Sequence, residues 1–457
     1  MSSHYRAAVV GGGVTGLCAA FYLARTFGRD RVVLLEGSDD VGGQTRTSRS
    51  QGFVNDWGPN GFLDREPLTL QWVSDLGLSD QLVQARSEAA RRFILRGGRL
   101  REIPLSPPGF LMSDVLSVRG RLRVLCEPLV KSRGTETESL WEFGARRIGK
   151  EAADFLIDPM ASGIFGGDSR KLALAACFPR MMEMEHEHGS LFAAMRARRK
   201  QGRRASAAGP AGTLTSFADG IGVLPEKAAS RDDFEKRTGA AVSSVTRASD
   251  GYSLRLASGE EVRTDAVVVA LPAYAASDVL RELDVALAAT LQEIPYAGMT
   301  VICGGYRRDK VGHPLDGFGF LVPRREGLRL LGCIWTSSVF DHRAPDGWVQ
   351  LRTMVGGATD PEAVKLSDQE LLAMFRREAG RLLSIDSDPE FLEVYRWKRA
   401  IPQFVPGHVD RVRRLEQAES RHPGLALAGN SYRGVGLNDC VVSAHRAVER
   451  ISATAPR

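Results

Sequence analysis

The sequence predicts an α/β fold (α+β overall) in which one parallel-sheet domain is assembled from separated pieces of the chain. The first observation is a short apolar run, Ala7–Val10, that leads through a glycine-rich turn into an apolar helical stretch. The second is an apolar run at 265–270, and the third is an apolar run at 425–428 followed by a helical segment. Strands so far apart can share one sheet only if the chain between them forms other domains.

Composition sets the limits within which the motifs are interpreted. The chain has 457 residues, of which 43% are hydrophobic and 25% charged, so disordered and fibrous classes are excluded. This length predicts about three domains. A net charge of +6 favours acidic ligands or an anionic surface but is too small to predict nucleic-acid binding.

Cysteine spacing and hydropathy indicate the compartment. The six cysteines include no Cys-x-x-Cys pair, so we expect reduced thiols in a cytoplasmic protein, without a disulfide framework or a metal site. The alternating acids and imidazoles of 185–188 do not share one helical face and predict a solvated charged turn. No apolar run approaches the roughly 18 residues that span a bilayer, and the N-terminus lacks a signal-peptide pattern. We therefore expect a soluble or at most peripheral protein.

The turn after the first strand has the Gly-x-Gly-x-x-Gly pattern in its required context, between a strand and a helix. Such glycines permit a tight turn, close approach of a pyrophosphate and close helix–strand packing. A second apolar run, 32–35, ends in an acidic residue where one should hold the ribose hydroxyls of an adenosine dinucleotide. A glycine-rich turn without a ligand is the alternative. The residues predicted here to bind the cofactor are Gly11, Gly12, Gly13, Val14, Thr15, Gly16, Glu36 and Gly37.

Two further glycine clusters favour FAD over NAD. Gly42 and Gly43 follow the ribose acid and would let a second backbone segment close over the pyrophosphate of a deeply bound dinucleotide. Gly434 and Gly436 precede the last helical segment, where backbone amides can face a flavin or its phosphates. An ordinary strand–helix connection is the alternative for the second cluster. We expect FAD bound without a covalent link.

Several colinear segments carry a family resemblance. They are Gly58–Leu63, Gly317–Pro323, Met354–Gly357, Arg396–Trp397, Ile401–Gln403 and Gly429–Cys440. With them the chain resembles the oxygen-dependent protoporphyrinogen oxidases of the FAD-containing amine-oxidase superfamily, in the form found in myxobacteria. The resemblance extends from about residue 7 to residue 450, which is far more than a shared Rossmann motif.

The resemblance implies three domains. A discontinuous Rossmann-like FAD-binding domain would comprise 1–85, 216–270 and 412–457, and a mixed-sheet substrate domain would comprise 86–103, 195–215 and 271–411. A helical insertion at 104–194 would contact a membrane. The Arg-, Ala- and Gly-rich stretch 196–212 is predicted to be a mobile basic linker.

The resemblance also implies site residues. Those implied for the cofactor, beyond the first turn, are Gly43, Gly58, Pro59, Asn60, Gly61, Val242, Trp397, Val435, Gly436 and Leu437. Those implied for the substrate are Arg92, which would pair with a propionate, Leu321 and Ile334, which would sandwich a pyrrole ring, Met354 behind the macrocycle, and the loop residues Gly163, Phe165 and Gly166. The alternatives are plain core positions for the apolar residues and a solvated charge for Arg92.

The function implied is FAD-dependent oxidation of protoporphyrinogen IX by O2 in haem biosynthesis, in three two-electron steps. The flavin takes the hydride, so no catalytic acid or base is assigned. Alternatives are a coproporphyrinogen oxidase, another flavin amine oxidase or desaturase, or a flavin- and porphyrin-binding protein without turnover. The interpretation includes peripheral contact with the inner face of the cell membrane, and it leaves open a homodimer or contact with the next enzyme of the pathway.

Overall fold

The structure, a computed structural model, describes residues 4–104, 106–200 and 212–454. The strands in these ranges are β1 (His4–Val10), β2 (Val32–Leu35), β3 (Thr47–Ser50), β4 (Phe53–Asp56), β5 (Phe62–Leu63), β6 (Leu82–Gln84), β7 (Phe93–Arg96), β8 (Arg99–Glu102), β9 (Leu214–Phe217), β10 (Glu235–Arg237), β11 (Val242–Ala248), β12 (Gly251–Leu256), β13 (Glu261–Val269), β14 (Tyr296–Arg307), β15 (Gly319–Leu321), β16 (Leu330–Trp335), β17 (Trp348–Gly356), β18 (Phe391–Pro402) and β19 (Leu425–Leu427).

The α-helices in the same ranges are α1 (Val14–Phe27), α2 (Pro67–Asp75), α3 (Pro107–Met112), α4 (Val118–Leu125), α5 (Leu140–Arg147), α6 (Lys150–Ala152), α7 (Asp158–Phe165), α8 (Leu174–Cys177), α9 (Pro179–His188), α10 (Leu191–Lys200), α11 (Val223–Ser230), α12 (Ala273–Leu280), α13 (Val285–Gln292), α14 (Thr336–Val339), α15 (Asp368–Phe375), α16 (Arg381–Leu383), α17 (His408–Arg421) and α18 (Leu437–Thr454). A π-helical turn, Ala153–Ile157, joins α6 to α7.

The first sheet contains the apolar runs that predicted the fold. Its order is β10-β2-β1-β13-β12-β11, with β19 beside β13. The strands β10, β2, β1, β13 and β19 are parallel, whereas β11 and β12 form an antiparallel extension. The parallel strands are continuously apolar because helices cover both faces, α1, α2, α11 and α18 on one and α12, α13 and α17 on the other. The predicted α/β class is confirmed.

The pieces of this sheet come from distant parts of the chain. Its strands fall within 1–85, 216–270 and 412–457, the three pieces predicted for the FAD-binding domain. The boundaries of the domains stay a prediction.

The second sheet lies in the part of the chain predicted to mix strands and helices. Its order is β18-β14-β17-β16-β15-β7-β8, and its pairs are antiparallel except for β15 with β7. One face packs against α15 and the turns that follow it. The opposite face carries a smaller apolar cluster that lines the functional cavity described below.

The segment between the two pieces of the second sheet is helical, from α3 to α10, as expected. Its two apolar clusters surround Phe143 and Phe155. The predicted mobile linker is wrong for 196–200, because these residues complete α10, whose Arg and Ala residues are good helix formers. Of the remainder of that predicted linker, 201–211 lies outside the described residues. Residues 185–188 complete α9 and do not form a turn, and Glu185 is buried against Arg146, whereas His186, Glu187 and His188 are exposed as predicted.

Two features are absent from the described residues. None of the helices there is both long enough and apolar enough to cross a bilayer. In the same ranges, the His, Cys, Asp and Glu side chains form no cluster that could hold a metal ion.

Candidate active site

One large cavity begins at the carboxyl edge of the first sheet, which is where open α/β sheets bind ligands. Gly11 follows β1, Glu36 follows β2, Ala270 follows β13 and Gly429 lies just beyond β19, and all of them line this cavity. The cavity has a volume of about 3300 Å³. A typical small-molecule site measures roughly 300–1000 Å³. There is therefore room for a dinucleotide and a second large ligand.

The turn after β1 has the geometry that a pyrophosphate requires. Gly11 has a φ of 106°, and a Cβ there would stand 2.6 Å from the carbonyl oxygen of Ala270. A Cβ on Gly16 would collide with the Gly11 carbonyl, so Gly16 provides the close helix–strand packing predicted for it. A Cβ on Gly13 would meet no atom within 4 Å, because Gly13 borders the cavity at the start of α1. The unpaired amides and the positive end of the helix dipole there favour an anion.

The second glycine pair closes on the first turn. The Gly42 N–H donates to the carbonyl of Gly12 at 2.8 Å, and Gly42 forms a parallel bridge with Gly13. The carboxylate of Glu36 accepts from the Gly12 N–H at 2.6 Å and from the Ser38 N–H at 2.8 Å. The ribose acid is thus fixed at the cavity wall beside the phosphate turn.

The segment before α18 adds a second helix N-terminus to the cavity. Gly434 has a φ of 105°, and a Cβ there would collide with Asp439. The Asp439 carboxylate accepts from the Gly436 N–H at 2.9 Å. Asn438 donates its side-chain N–H to the carbonyl of Leu63 at 2.8 Å, which ties α18 to the opposite wall.

Buried polar atoms without partners test whether a cofactor fits here. The Asn60 Nδ2, the Asn438 Oδ1 and the Trp57 Nε1 are buried in the cavity wall without a protein partner. The Trp397 indole, by contrast, donates to the carbonyl of Trp57 at 3.0 Å. Since buried polar groups are normally satisfied, these atoms favour a polar ligand at this wall. FAD, with its phosphates, hydroxyls and flavin carbonyls, meets that requirement.

Most predicted site residues line this cavity. The cofactor residues that do so are Gly11, Gly12, Gly13, Val14, Thr15, Glu36, Gly43, Gly58, Pro59, Asn60, Gly61, Trp397, Val435, Gly436 and Leu437, and the substrate residues are Arg92, Gly163, Phe165, Leu321, Ile334 and Met354.

Four predicted residues lie away from the cavity wall, which are Gly16, Gly37, Gly166 and Val242. Gly37 packs against Ala241, and Val242 begins the antiparallel extension of the first sheet. Gly166 ends α7 in a left-handed conformation with a φ of 55°, where a Cβ would press on the Met299 side chain. These glycines therefore serve packing and turn geometry in the structure.

The second sheet forms the other wall of the cavity. Leu321 on β15 pairs with Gly332 on β16, and Gly332 pairs with Met354 on β17, so Leu321 and Met354 share one face with Ile334. Gly163 on α7 lies against this face, since a Cβ there would stand 2.9 Å from Leu321 Cδ2. The structure thus brings the predicted substrate residues together on an apolar surface.

Arg92 lies at the edge of this surface, just before β7, the strand that pairs with β15. Its guanidinium carbon lies 5.6 Å from the centre of the Phe318 ring, and partial burial lowers the pKa of Arg92. Its neighbour Arg91 pairs with Glu102 at 2.8 Å and with Asp316. Within the described ranges Arg92 forms no ion pair. Arg92 is exposed at the cavity wall, where its unpaired guanidinium can bind a carboxylate, and its propionate-binding role stays a prediction.

The third wall was not anticipated from the sequence. Helices α7, α9 and α10 present a row of methionines to the cavity, namely Met160, Met181, Met182, Met184 and Met195. Methionine adapts its shape to irregular apolar ligands. The spacing of Met181 and Met184, about one helical turn apart, was the pattern in the sequence that could have predicted this wall.

An ionic clasp between the helical segment and the second sheet was also not predicted from the sequence. We define it as Arg324 and Arg325, in the turn between β15 and β16, with the buried carboxylates of Asp154, Asp158 and Asp168. Arg324 lies 2.9 Å from Asp168 and 3.8 Å from Asp158, and Arg325 lies 2.9 Å from Asp154. The clasp joins the elements that carry Gly163 and Leu321.

The amino-acid sequence also matches a known protein family. The profile of the flavin containing amine oxidoreductases matches residues 14–452. The chain belongs to this family. Family membership and the fit of the cavity make FAD the cofactor and the protein a flavin-dependent oxidoreductase.

Relatives at about one-third identity carry more specific names. A coproporphyrinogen III oxidase of Bacillus subtilis is 31% identical over 96% of this chain and 96% of its own. A chloroplastic protoporphyrinogen oxidase of Oryza sativa is 33% identical over 97% of this chain and 87% of its own. The resemblance to porphyrinogen-oxidising flavoenzymes is therefore confirmed.

Solved structures share the fold of the whole chain. A candidate protoporphyrinogen oxidase from Exiguobacterium superposes with a TM-score of 0.84 at 27% identity, covering 99% of this chain and 100% of that one. A UDP-galactopyranose mutase has a TM-score of 0.73 at 16% identity, covering 99% and 96% of the two chains, which shows the fold alone.

Proposed function

We propose that this flavoenzyme oxidises protoporphyrinogen IX to protoporphyrin IX, with O2 as the electron acceptor and H2O2 as its product. The observation that carries this proposal is the shared cavity. In it, the edge of the first sheet that is predicted to bind the dinucleotide faces an apolar face of the second sheet, and the unpaired Arg92 borders that face. A tetrapyrrole with propionates at one edge matches such a surface. The rice relative named a protoporphyrinogen oxidase supports the assignment.

The chain's own residues bind and orient the two ligands. The amides of Gly11–Gly13 and the N-termini of α1 and α18 would hold the phosphates and flavin, and Glu36 the ribose. When bound, FAD supplies the acceptor for a hydride from a substrate C–H bond. Leu321 and Ile334 would position a pyrrole ring from one side, while the guanidinium of Arg92 would hold a propionate by two parallel hydrogen bonds. The conversion requires three such two-electron oxidations.

Coproporphyrinogen III is the second candidate substrate. The Bacillus relative is named for it, and the helical wall carries two arginines, Arg180 and Arg196, that line the cavity. Coproporphyrinogen has two more carboxylates than protoporphyrinogen. Placing these against Leu321 and Ile334 would bury unpaired charge at considerable cost. We therefore expect a strong preference for protoporphyrinogen.

The test compares both porphyrinogens on one preparation of the flavoprotein. Anaerobic mixing with protoporphyrinogen should bleach the flavin, and aerobic turnover should show a higher kcat/KM than with coproporphyrinogen. Arg180→Ala and Arg196→Ala should leave protoporphyrinogen oxidation unchanged and reduce only the residual rate with coproporphyrinogen. Equal or reversed kcat/KM values would assign the second substrate. Porphyrin binding without bleaching would identify a carrier.

We also propose that α3, α4 and the turn after them rest on an anionic lipid surface. Met112, Leu122, Leu125 and Leu129 are 86%, 57%, 46% and 76% exposed, an unusual density of apolar side chains for a free surface. Arginines of α4 such as Arg119 add the positive charge that anionic lipids attract. Leu125 also lines the cavity, so an apolar substrate could enter from the lipid.

Vesicle co-sedimentation tests this contact. We expect binding to vesicles with anionic lipid, weakening with salt, and a clear loss in the double variant Met112→Ser/Leu129→Ser. The matched control is Val285→Ser, which changes an apolar side chain that is 73% exposed on α13. Binding that ignores lipid charge, salt and the double variant would contradict the proposal.

A further inference from the structure

Arg352 is a cation on the apolar face that carries the predicted substrate residues. The register pairs it with Ile334 on one side and with Cys303 on the other, and Met354 follows two residues along the same strand. Arg352 therefore projects from the centre of this face. It lines the cavity and is only 5% exposed.

The contacts of Arg352 leave its charge without a carboxylate. Its Nη2 donates to the carbonyl of Gly58, its Nε to the carbonyl of Asp56 at 3.4 Å, and its Nη1 has the Met354 sulfur at 3.8 Å. Among the described residues Arg352 forms no ion pair. The Asp56 carboxylate lies instead 3.3 Å from Arg343.

The next carboxylate on this face also has other donors. Glu393 accepts hydrogen bonds from Ser48, from Asn55 at 3.0 Å and from Tyr395. A guanidinium that is buried without a counter-charge is costly, and retaining one at a cavity wall indicates an anionic ligand group. Because Arg352 holds the Gly58 carbonyl, its charge stands where the predicted flavin-binding segment 58–61 meets the substrate face.

We propose that Arg352 provides the positive charge that stabilises the flavin in its reduced form. A hydride brings two electrons and one proton, so a flavin that accepts it gains one negative charge, while the donor carbon becomes cationic and sheds a proton. A neighbouring guanidinium stabilises that negative charge without itself exchanging a proton, since arginine stays protonated. This role goes beyond the proposed substrate and holds for any hydride donor.

The decisive measurements are made on the purified flavoprotein without substrate. In Arg352→Met the midpoint potential of the flavin should become more negative, measured by equilibration with a reference dye. Sulfite, which adds to flavins as an anion, should bind roughly ten- to a hundredfold more weakly, the effect of losing one hydrogen bond to a charged group. Arg352→Lys should recover part of both effects. Arg352→Gln, which keeps donors for the Gly58 carbonyl, serves if the methionine variant fails to retain flavin.

Gln350→Met is the matched control. Gln350 lies on the same strand and face, is 1% exposed, and ties itself to the carbonyl of Val54 at 3.0 Å and to Asn55 at 2.7 Å. The substitution of Gln350 removes similar hydrogen bonds without removing a charge, so the midpoint potential of the flavin should not change. An equal shift in Gln350→Met would overturn the proposal.

Two other results would also overturn it. One is a flavin-loaded Arg352→Gln with the potential and sulfite affinity of the unaltered protein. The other is an unchanged potential together with weaker porphyrin binding, which would assign Arg352 to a substrate carboxylate. Failure of the unaltered protein to oxidise either porphyrinogen would contradict the proposed function but would leave these substrate-free measurements decisive.

Discussion

At the scale of single residues, the site depends on positions without a side chain and on charges without a partner. Gly13 leaves open space at the start of α1, where the pyrophosphate is expected. Arg92 and Arg352 line the same cavity and, within the part of the chain described, make no ion pair. An unpaired charge costs stability where it is buried, as at Arg352, and an anionic ligand would offset that cost.

We predict that Gly13→Asp folds but holds no flavin. A Cβ at this position meets no atom within 4 Å, and aspartate is a favourable residue at a helix N-terminus, so stability should be kept. The carboxylate would occupy and repel the pyrophosphate site. Flavin absorbance and the unfolding midpoint measure the two effects. Gly13→Ala, which adds no charge, should lose less flavin, and full occupancy in Gly13→Asp would refute the assignment of this turn.

Arg92→Ala should reduce kcat/KM for protoporphyrinogen about ten- to a hundredfold, which corresponds to losing a charged hydrogen bond of roughly 1.5–3 kcal/mol. Steady-state kinetics measure this loss. Arg91→Ala is the matched control, because Arg91 is an exposed residue that pairs with Glu102 and Asp316, and such surface pairs contribute little. Similar losses in both variants would show that Arg92 has no specific role.

At the scale of elements, the ionic clasp fixes the turn between β15 and β16 against α7. Burial acts to raise the pKa of Asp168, but hydrogen bonds from the Arg324 guanidinium and the Arg170 backbone N–H lower it overall. A carboxyl with a lowered pKa stabilises the fold above its unfolded-state pKa of 3.8, and this contribution is lost as the pH falls further. The clasp should therefore hold at neutral pH and release in acid.

Arg324→Gln should lower the free energy of unfolding at pH 7 by about 1 kcal/mol, the scale of a partly screened ion pair. The difference from the unaltered protein should shrink as the pH falls below about 4, because Asp168 is then protonated in the unfolded chain and, at still lower pH, in the folded protein. Denaturant titrations at both pH values test this. KM for the porphyrinogen should rise, because the spacing between Gly163 and Leu321 loosens. A stability difference independent of pH would contradict the ionic origin of the clasp.

A buried carboxyl between α17 and β19 gives a second prediction for an element. Burial raises the pKa of Glu419 to about 7, although its Oε1 accepts from the Leu427 N–H at 2.7 Å. Between pH 4.5 and 7 the unfolded chain ionises this group while the folded protein keeps it protonated, so stability falls as the pH rises. Glu419→Gln should be more stable than the unaltered protein at pH 8, by up to about 3 kcal/mol, and equal at pH 4. Thermal unfolding of both proteins across this range measures the effect. An unfolding temperature of the unaltered protein that rises from pH 4.5 to pH 7 relative to Glu419→Gln would contradict the prediction.

At the scale of the whole molecule, two sheets and a helical segment enclose a single cavity. Most cofactor residues lie at the edge of the first sheet or in segment 58–61, and Trp397 lies on β18 of the second sheet. Leu321, Ile334 and Met354 lie on the second sheet, and α7, which carries Gly163 and Phe165, forms the methionine-rich wall with α9 and α10. Because the cavity of about 3300 Å³ lies between these parts, a ligand that fills it contacts all of them.

Removal of flavin should therefore destabilise more than the first sheet. We expect the unfolding temperature to fall in the flavin-free protein and to rise with added FAD, because a ligand that binds only the folded state stabilises it by mass action. Hydrogen exchange should show lost protection at β1 and α18 and also near Gly58 and Trp397. Loss confined to the first sheet would show that the cavity parts act independently.

The fold class, the FAD cofactor and the family were predictable from the amino-acid sequence. The apolar runs of β1, β2, β13 and β19 are local patterns, and glycines at a strand–helix turn have a specific steric purpose wherever they occur. The register of β15, β16 and β17, by contrast, cannot be predicted from a local pattern. It places Leu321, Ile334 and Met354 on one face, which the sequence analysis could assign only through the family resemblance.

Which charges are paired follows from the three-dimensional fold alone. In the sequence, Arg91 and Arg92 are equivalent neighbours, and Arg352 is one arginine among many. The fold gives Arg91 two carboxylates and leaves Arg92 and Arg352 at the cavity wall. It likewise joins Arg324 to aspartates more than 150 residues earlier in the chain. Ion pairing depends on distances in space between residues far apart in sequence, so no local pattern encodes it.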